Sequence, residues 1–134
     1  MKFLVVDDKA AVRSTMVDIL ARLGFNDVTE AVDGSDAWFK LKAEFEGVKP
    51  EKFDLVISDM EMPEMSGLDL LRAVRGDRNL KEIPFIMVTS INTKETILAI
   101  MKLGIKAYII KPFTKESVAA KLVQAGFLKK VPDL

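Results

Sequence analysis

The chain is expected to fold as a doubly wound α/β domain with a five-stranded parallel sheet, a (βα)5 arrangement. Two observations predict it. Short apolar runs rich in branched residues alternate with longer stretches of helical spacing, and no repeat, low-complexity tract or linker interrupts the alternation. Apolar runs of this kind read as strands buried on both faces, and each parallel return needs a crossover helix.

The elements follow in order. Residues 3–6 form the first apolar run. In the helix after it, Val12, Met16, Ile19, Leu20 and Leu23 share one face, and Gly24 is the stop signal. Residues 27–31 set Val28 and Glu30 against Thr29 and Ala31, the alternation of an edge strand. A second helix is expected over 35–45, then a charged surface loop over 47–52 that contains Pro50. The third strand is expected over 53–57, the third helix over 67–75 and the fourth strand over 84–88. Asn92 or Thr93 can cap a fourth helix over 93–103, which Gly104 ends. The fifth strand spans 107–110, and Thr114, with Ser117 three residues on, can cap a fifth helix over 115–128.

With 134 residues and 49% hydrophobic content, the chain suits one domain over 1–134, with no output domain expected. Lys plus Arg (20) equals Asp plus Glu (20), so no broad basic field is present to hold nucleic acid or an anionic membrane. There is no Cys and no His, which excludes disulfides, thiolate chemistry, imidazole metal ligands and triads. Chemistry must run on carboxylates, hydroxyls and amines. The apolar start at 1–6 is too short for a signal peptide, Asp7-Asp8 interrupts it, and no run approaches the ~20 apolar residues of a membrane span, so a cytoplasmic location is expected.

In open α/β sheets, ligands collect outside the carboxyl ends of the strands. There the sequence places Asp7-Asp8, Ser58-Asp59, Thr89-Ser90 and Lys111-Pro112. Singly, Asp7 and Asp8 are ordinary helix-capping acids, Asp59 a turn residue, Thr89 a strand-terminal hydroxyl and Lys111 a solvated amine. Brought to one rim, the carboxylates repel unless a cation joins them, and hard oxygen ligands favour Mg²⁺, with Mn²⁺ as the other option. Lys111 can then neutralise a carboxylate or phosphoryl oxygen, and the Thr89 hydroxyl can donate to one. The Lys111-Pro112 bond is a place where a cis peptide is accessible.

The segments Lys2-Phe3-Leu4-Val5-Val6-Asp7-Asp8, Leu23-Gly24-Phe25-Asn26, Asp33-Gly34, Asp59-Met60-Glu61-Met62-Pro63, Met65-Ser66-Gly67, Val88-Thr89 and Lys111-Pro112-Phe113-Thr114 together carry a family resemblance. Over nearly its whole length the chain resembles the receiver domains of bacterial response regulators, of the chemotaxis, CheY-like type. The resemblance implies strand order 2-1-3-4-5, as in flavodoxin-like folds. It implies that Asp59 accepts a phosphoryl group from the phosphohistidine of a histidine kinase, so that the missing His is supplied by the donor. It further implies that Asp8, Asp59 and the backbone carbonyl of Glu61 bind Mg²⁺ directly and Asp7 through a water, while Lys111 and Thr89 hold phosphoryl oxygens. Thr89 and Tyr108 become the switch pair. The output surface for a target protein is then the fourth helix, fifth strand and fifth helix, with Lys106, Tyr108 and the exposed side of 93–102. Such a protein is not an enzyme beyond its own phosphorylation and dephosphorylation, and acts as a monomer or as a dimer formed on activation.

Lys9, Glu61 and Ile91 depart from the family pattern at the pocket mouth, and Lys9 and Glu61 are expected to pair across the entrance. Segment 47–52 lengthens the usual spacing from Asp8 to Asp59. At the C-terminus, Phe127, Leu128 and Val131 continue the apolar pattern at and beyond the expected end of the last helix, and either cover the core or offer a partner a contact. Three rivals remain. A haloacid-dehalogenase-like phosphatase needs its nucleophile after the first strand and a second Asp two residues later, where Lys9 stands. A flavodoxin needs a phosphate-cradling first loop, which Asp7-Asp8 would repel. A phosphorylation-independent interaction module has no need of Asp8, Asp59, Thr89 and Lys111 together.

Overall fold

The computed structural model describes residues 1–45 and 52–133. Five strands and five helices alternate: β1 (Phe3–Val6), α1 (Ala10–Arg22), β2 (Val28–Ala31), α2 (Gly34–Phe45), β3 (Leu55–Asp59), α3 (Gly67–Gly76), β4 (Phe85–Thr89), α4 (Lys94–Lys102), β5 (Ala107–Ile110) and α5 (Lys115–Gln124). All pairings are parallel, in the order β2-β1-β3-β4-β5.

Strand side chains alternate between two faces, and each face has its own core. Leu4, Val6, Val56, Phe85 and Met87 meet Leu41, Leu70, Leu71, Val74 and Ile100 from α2, α3 and α4. Phe3, Val5, Leu55, Ile57, Ile86, Val88 and Ile109 meet Met16, Ile19, Leu20, Val118 and Leu122 from α1 and α5. Because both faces are covered, the central strands are apolar except at their carboxyl ends, where Ser58, Asp59 and Thr89 are buried, and the expected doubly wound class is the observed one.

Hydrogen bonding, not polarity, sets the strand ends. β3 and β4 run two residues and one residue past their expected ends, so Asp59 and Thr89 lie inside strands instead of after them. Asp59 pairs with Val88 and Thr89 with Ile110, and the ladder continues through the Met60 N–H to Val88 O at 2.8 Å. Phe53, by contrast, is buried but precedes β3.

Helix caps follow the local chemistry. The Thr93 hydroxyl accepts from the Thr96 N–H, and Thr114 and Ser117 form a reciprocal capping box. A second capping box, Ser66 with Asp69, starts α3 and was not anticipated. α5 stops at Gln124, four residues short of the expected 128, because Gly126 takes φ +88° and turns the chain back. The turn delivers Phe127 edge-on to Phe3, with ring centroids 5.5 Å apart, while Phe3 stacks on Phe25. Phe127 and Leu128 therefore extend the α1/α5 core, whereas Val131 stays exposed.

The Lys111-Pro112 bond is cis. The loop expected over 47–52 lies outside the described residues except for Lys52. Among the described residues no helix is long and apolar enough to cross a membrane.

Candidate functional site

The sheet order reverses between β1 and β3, and a crevice opens at their carboxyl ends. The register that pairs Val6 with Ser58 brings Asp7, just past β1, beside Asp59, the last residue of β3. Asp7 and Asp59 are buried, at 4% and 2% exposure, and Asp8 is exposed. One carboxylate oxygen from each of the three lies within 4.8 Å of the other two.

The surroundings hold Asp7 tightly and leave Asp59 nearly bare. Asp7 Oδ1 accepts from the Lys9 N–H at 2.8 Å, and its backbone carbonyl accepts from Arg13 Nη1 at 2.8 Å. Arg13 is in turn paired to Glu30 on β2 at 2.9 Å. Lys111 Nζ reaches within 2.9 Å of Asp59 Oδ1 and 3.6 Å of Asp7 Oδ2. That contact is an ion pair whose geometry falls outside that of a hydrogen bond, and neither buried oxygen of Asp59 receives one among the described residues.

A buried carboxylate in this state resists ionisation. Burial is the main cause of the rise of the Asp59 pKa to about 6, against the Lys111 contact that lowers it, and the charges of Asp7 and Glu61 push it further up. Burial also works against the Lys111 ammonium, yet Asp59 above all, with Asp7 and Glu61, holds its pKa above the ordinary lysine value. Two unsatisfied, converging oxygens beside two further carboxylates form a donor set suited to a hard divalent cation, which would remove the repulsion and the desolvation together.

Thr89, fully buried at the end of β4, does not donate toward Asp59. Its hydroxyl donates to Glu61 Oε1 at 2.8 Å, and Ser90 adds its N–H and hydroxyl to the same oxygen at 3.3 Å each. Burial acts against the ionised Glu61, but these donors, Thr89 first, bring its pKa below the usual glutamate value. The expected Lys9 to Glu61 pair is therefore absent. Three donors at the end of β4 already hold Glu61, and Lys9 is exposed, where such a pair is worth only ~0–1 kcal/mol.

Tyr108 is half-buried on β5, opposite Met87, so it shares a sheet face with Thr89. Its ring packs against the core under α2 to α4, and Lys121 Nζ sits 5.0 Å over its centroid. Nearby, Leu98 and Met101 of α4 and Lys106 are exposed on the surface expected for output. The residues read from the sequence as Asp7, Asp8, Asp59, Glu61, Thr89 and Lys111 thus gather at one rim.

Two supporting residues were missed. Arg13 clamps the Asp7 carbonyl, although in sequence it is an unremarkable basic residue of α1. Gly67 lets α3 start against β3: its N–H donates to Met60 O at 2.9 Å, and an added Cβ would run into the backbone of Asp59. A glycine directly after a helix-capping Ser66 was the available signal for so close an approach.

Comparison with known proteins gives the same picture. Residues 3–123 match the response regulator receiver domain family. The chain is 43% identical to chemotaxis protein CheY1 of Helicobacter pylori over 122 residues, covering 91% of this chain and 94% of that protein. It is 40% identical to the CheY homolog of Campylobacter jejuni, covering 91% and 89%. Among solved structures, chemotaxis response regulator CheY4 of Vibrio cholerae superposes with a TM-score of 0.79 at 30% identity, covering 92% and 97%. CheY in a CheX-CheY-BeF3-Mg complex from Borrelia burgdorferi superposes with a TM-score of 0.83 at 25% identity, covering 94% and 89%. Since the family match runs through both cores and through every strand end that lines the crevice, the chain belongs to the response regulator receiver domain family.

Proposed function

We propose that the chain is a phosphorylation switch of chemotaxis-type two-component signalling, which accepts a phosphoryl group on Asp59 from the phosphohistidine of a histidine kinase. The observation that carries this reading is the buried Asp59 carboxylate, with two oxygens that receive no hydrogen bond, between two acids and one ammonium. Asp8, Asp59 and the Glu61 backbone carbonyl would hold Mg²⁺, with Asp7 acting through a water. The ion supplies positive charge that lets clustered carboxylates coexist and accept further negative charge.

An Asp59 oxygen attacks phosphorus as the phosphorus–nitrogen bond breaks, and the bonding pair leaves with the imidazole nitrogen. Positioning and charge stabilisation do most of the remaining work. Lys111, already 2.9 Å from Asp59, is within reach of a phosphoryl oxygen placed there. Thr89 supplies the hydroxyl for a second oxygen. Its displacement toward that oxygen frees space on the face it shares with Tyr108, and the α4-β5-α5 surface, with Leu98, Met101 and Lys106, passes the change to a target protein. The Borrelia burgdorferi relative, crystallised with BeF3, Mg and a partner protein, supports both halves of this reading.

Incubation with acetyl phosphate or phosphoramidate and Mg²⁺, followed by intact mass, is expected to show one phosphoryl adduct per chain. Excess chelator should suppress it. No adduct with either donor at saturating Mg²⁺ would reject the proposal.

A further inference from the structure

Glu61 is the one acid at the rim whose side chain is spent on the switch residue instead of the acidic cluster. A threonine hydroxyl has one hydrogen to donate. Here that hydrogen goes to Glu61 Oε1 at 2.8 Å, and the Thr89 oxygen accepts from the Ile91 N–H at 2.9 Å. The other acceptor within reach of the hydroxyl, Ile91 O, lies farther away at 3.3 Å. Ser90 reinforces the arrangement by donating twice to the same Glu61 oxygen. The one hydrogen of Thr89 is therefore committed before any phosphoryl group arrives. Its acceptor is an anion, which makes a stronger hydrogen bond than a neutral group does.

We propose that the Glu61 carboxylate is a resident competitor for the Thr89 hydroxyl, holding the switch at rest through the hydrogen bond that a phosphoryl oxygen must take over. The inference rests on the proposed phosphorylation of Asp59 and deepens it. Glu61 acts as a positioning residue: its side chain sets how readily the hydroxyl is released, while its backbone carbonyl belongs to the proposed cation site. A phosphoryl oxygen wins the exchange because it carries more charge and sits beside Lys111. Weakening the Glu61 acceptor should therefore favour the active arrangement.

The test is a double-mutant cycle read by calorimetric titration with beryllofluoride in saturating Mg²⁺, a phosphoryl mimic that needs no bond-making. Glu61→Ala is expected to tighten binding about tenfold in the Thr89 background, the worth of a released charge-assisted hydrogen bond. In the Thr89→Val background, which has no hydroxyl to release, the same change should tighten binding less than about threefold, through relief of charge repulsion alone. Glu61→Gln, which keeps the shape and a weaker acceptor, should fall between. Equal gains in both backgrounds would overturn the inference by reducing Glu61 to a plain repulsive charge, as would no gain in either. Failure of the wild-type protein to bind beryllofluoride would reject the phosphorylation reading itself, and the competitor with it.

Discussion

Asp59→Asn is expected to take up no phosphoryl group from any donor, and in the absence of metal to be more stable than the wild-type protein above pH 6. The first outcome follows because an amide of the same shape is neither a competent nucleophile nor a charged metal ligand. The second follows from the site's electrostatics. The ordinary carboxyl pKa of 3.8 applies to the unfolded chain, while burial and neighbouring charge raise it to about 6 in the fold. Below pH 3.8 both states are protonated and the group has no effect. Between 3.8 and about 6 the unfolded chain ionises first, so stability falls as pH rises. Above about pH 6 both states are ionised and the penalty is complete, on the order of 1–3 kcal/mol. The variant lacks that penalty, so its metal-free pH profile should be flatter through this window. Urea unfolding of both proteins in chelator from pH 3.5 to 8 reads it directly. Parallel profiles would show that Asp59 is not the strained group described here.

Gly67→Ala should be the most damaging single-methyl change near the site. The added carbon would meet the carbonyl oxygen of Asp59 and lie 2.8 Å from Met60 Cα and 3.0 Å from Asp59 C. All three are backbone atoms of the stretch that carries Asp59, so no flexible side chain can yield. Either α3 is pushed off β3 or the Asp59–Met60 peptide moves, and overpacking of this kind costs on the order of 2–4 kcal/mol. Because the chain runs on from this peptide to the Glu61 carbonyl of the proposed cation site, that proposal predicts an Mg²⁺ affinity about tenfold lower in whatever fraction still folds. Gly76, at the other end of α3, has nothing within 4 Å of its would-be Cβ. Gly76→Ala is thus the matched control, expected to be neutral or slightly stabilising by ~0.5–1 kcal/mol. Thermal unfolding of the two variants side by side decides the matter; equal melting temperatures would mean that Gly67 is not tightly packed.

The Gly67 contact also marks how far the sequence could be read. Period and branching placed every strand and helix, because a strand covered on both faces is a run of branched apolar residues broken only near its end. β1 and β5 were bounded correctly at Phe3–Val6 and Ala107–Ile110. β3 and β4 were ended early at Ile57 and Val88, since a polar Asp59 or Thr89 looks like a loop residue until the ladder that pairs each with its neighbour is known. α5 was drawn too long because Phe127 and Leu128 keep the apolar pattern past Gly126, and they pack as a turned-back tail instead of a helix.

The crevice was legible for a related reason. Parallel strands all end at the same edge of the sheet, so Asp7, Asp8, Asp59, Thr89 and Lys111 had to converge once the topology was known. The lack of His and Cys narrowed the chemistry to carboxylates and amines before any fold was drawn. What each group bonds to was decided only in three dimensions. Thr89 and Glu61 lie 28 residues apart, and opposite charge at the pocket mouth pointed Glu61 toward Lys9 when the nearest donors were the Thr89 hydroxyl at the end of β4 and the Ser90 amide and hydroxyl just past it. Arg13 reached a backbone carbonyl rather than solvent. Hydrophobic pattern is a sum over many residues and survives small displacements, which is why the chain alone determines its layers and its rim. A hydrogen-bond partner is chosen over a few tenths of an ångström, and such distances exist only after the strands have taken their register.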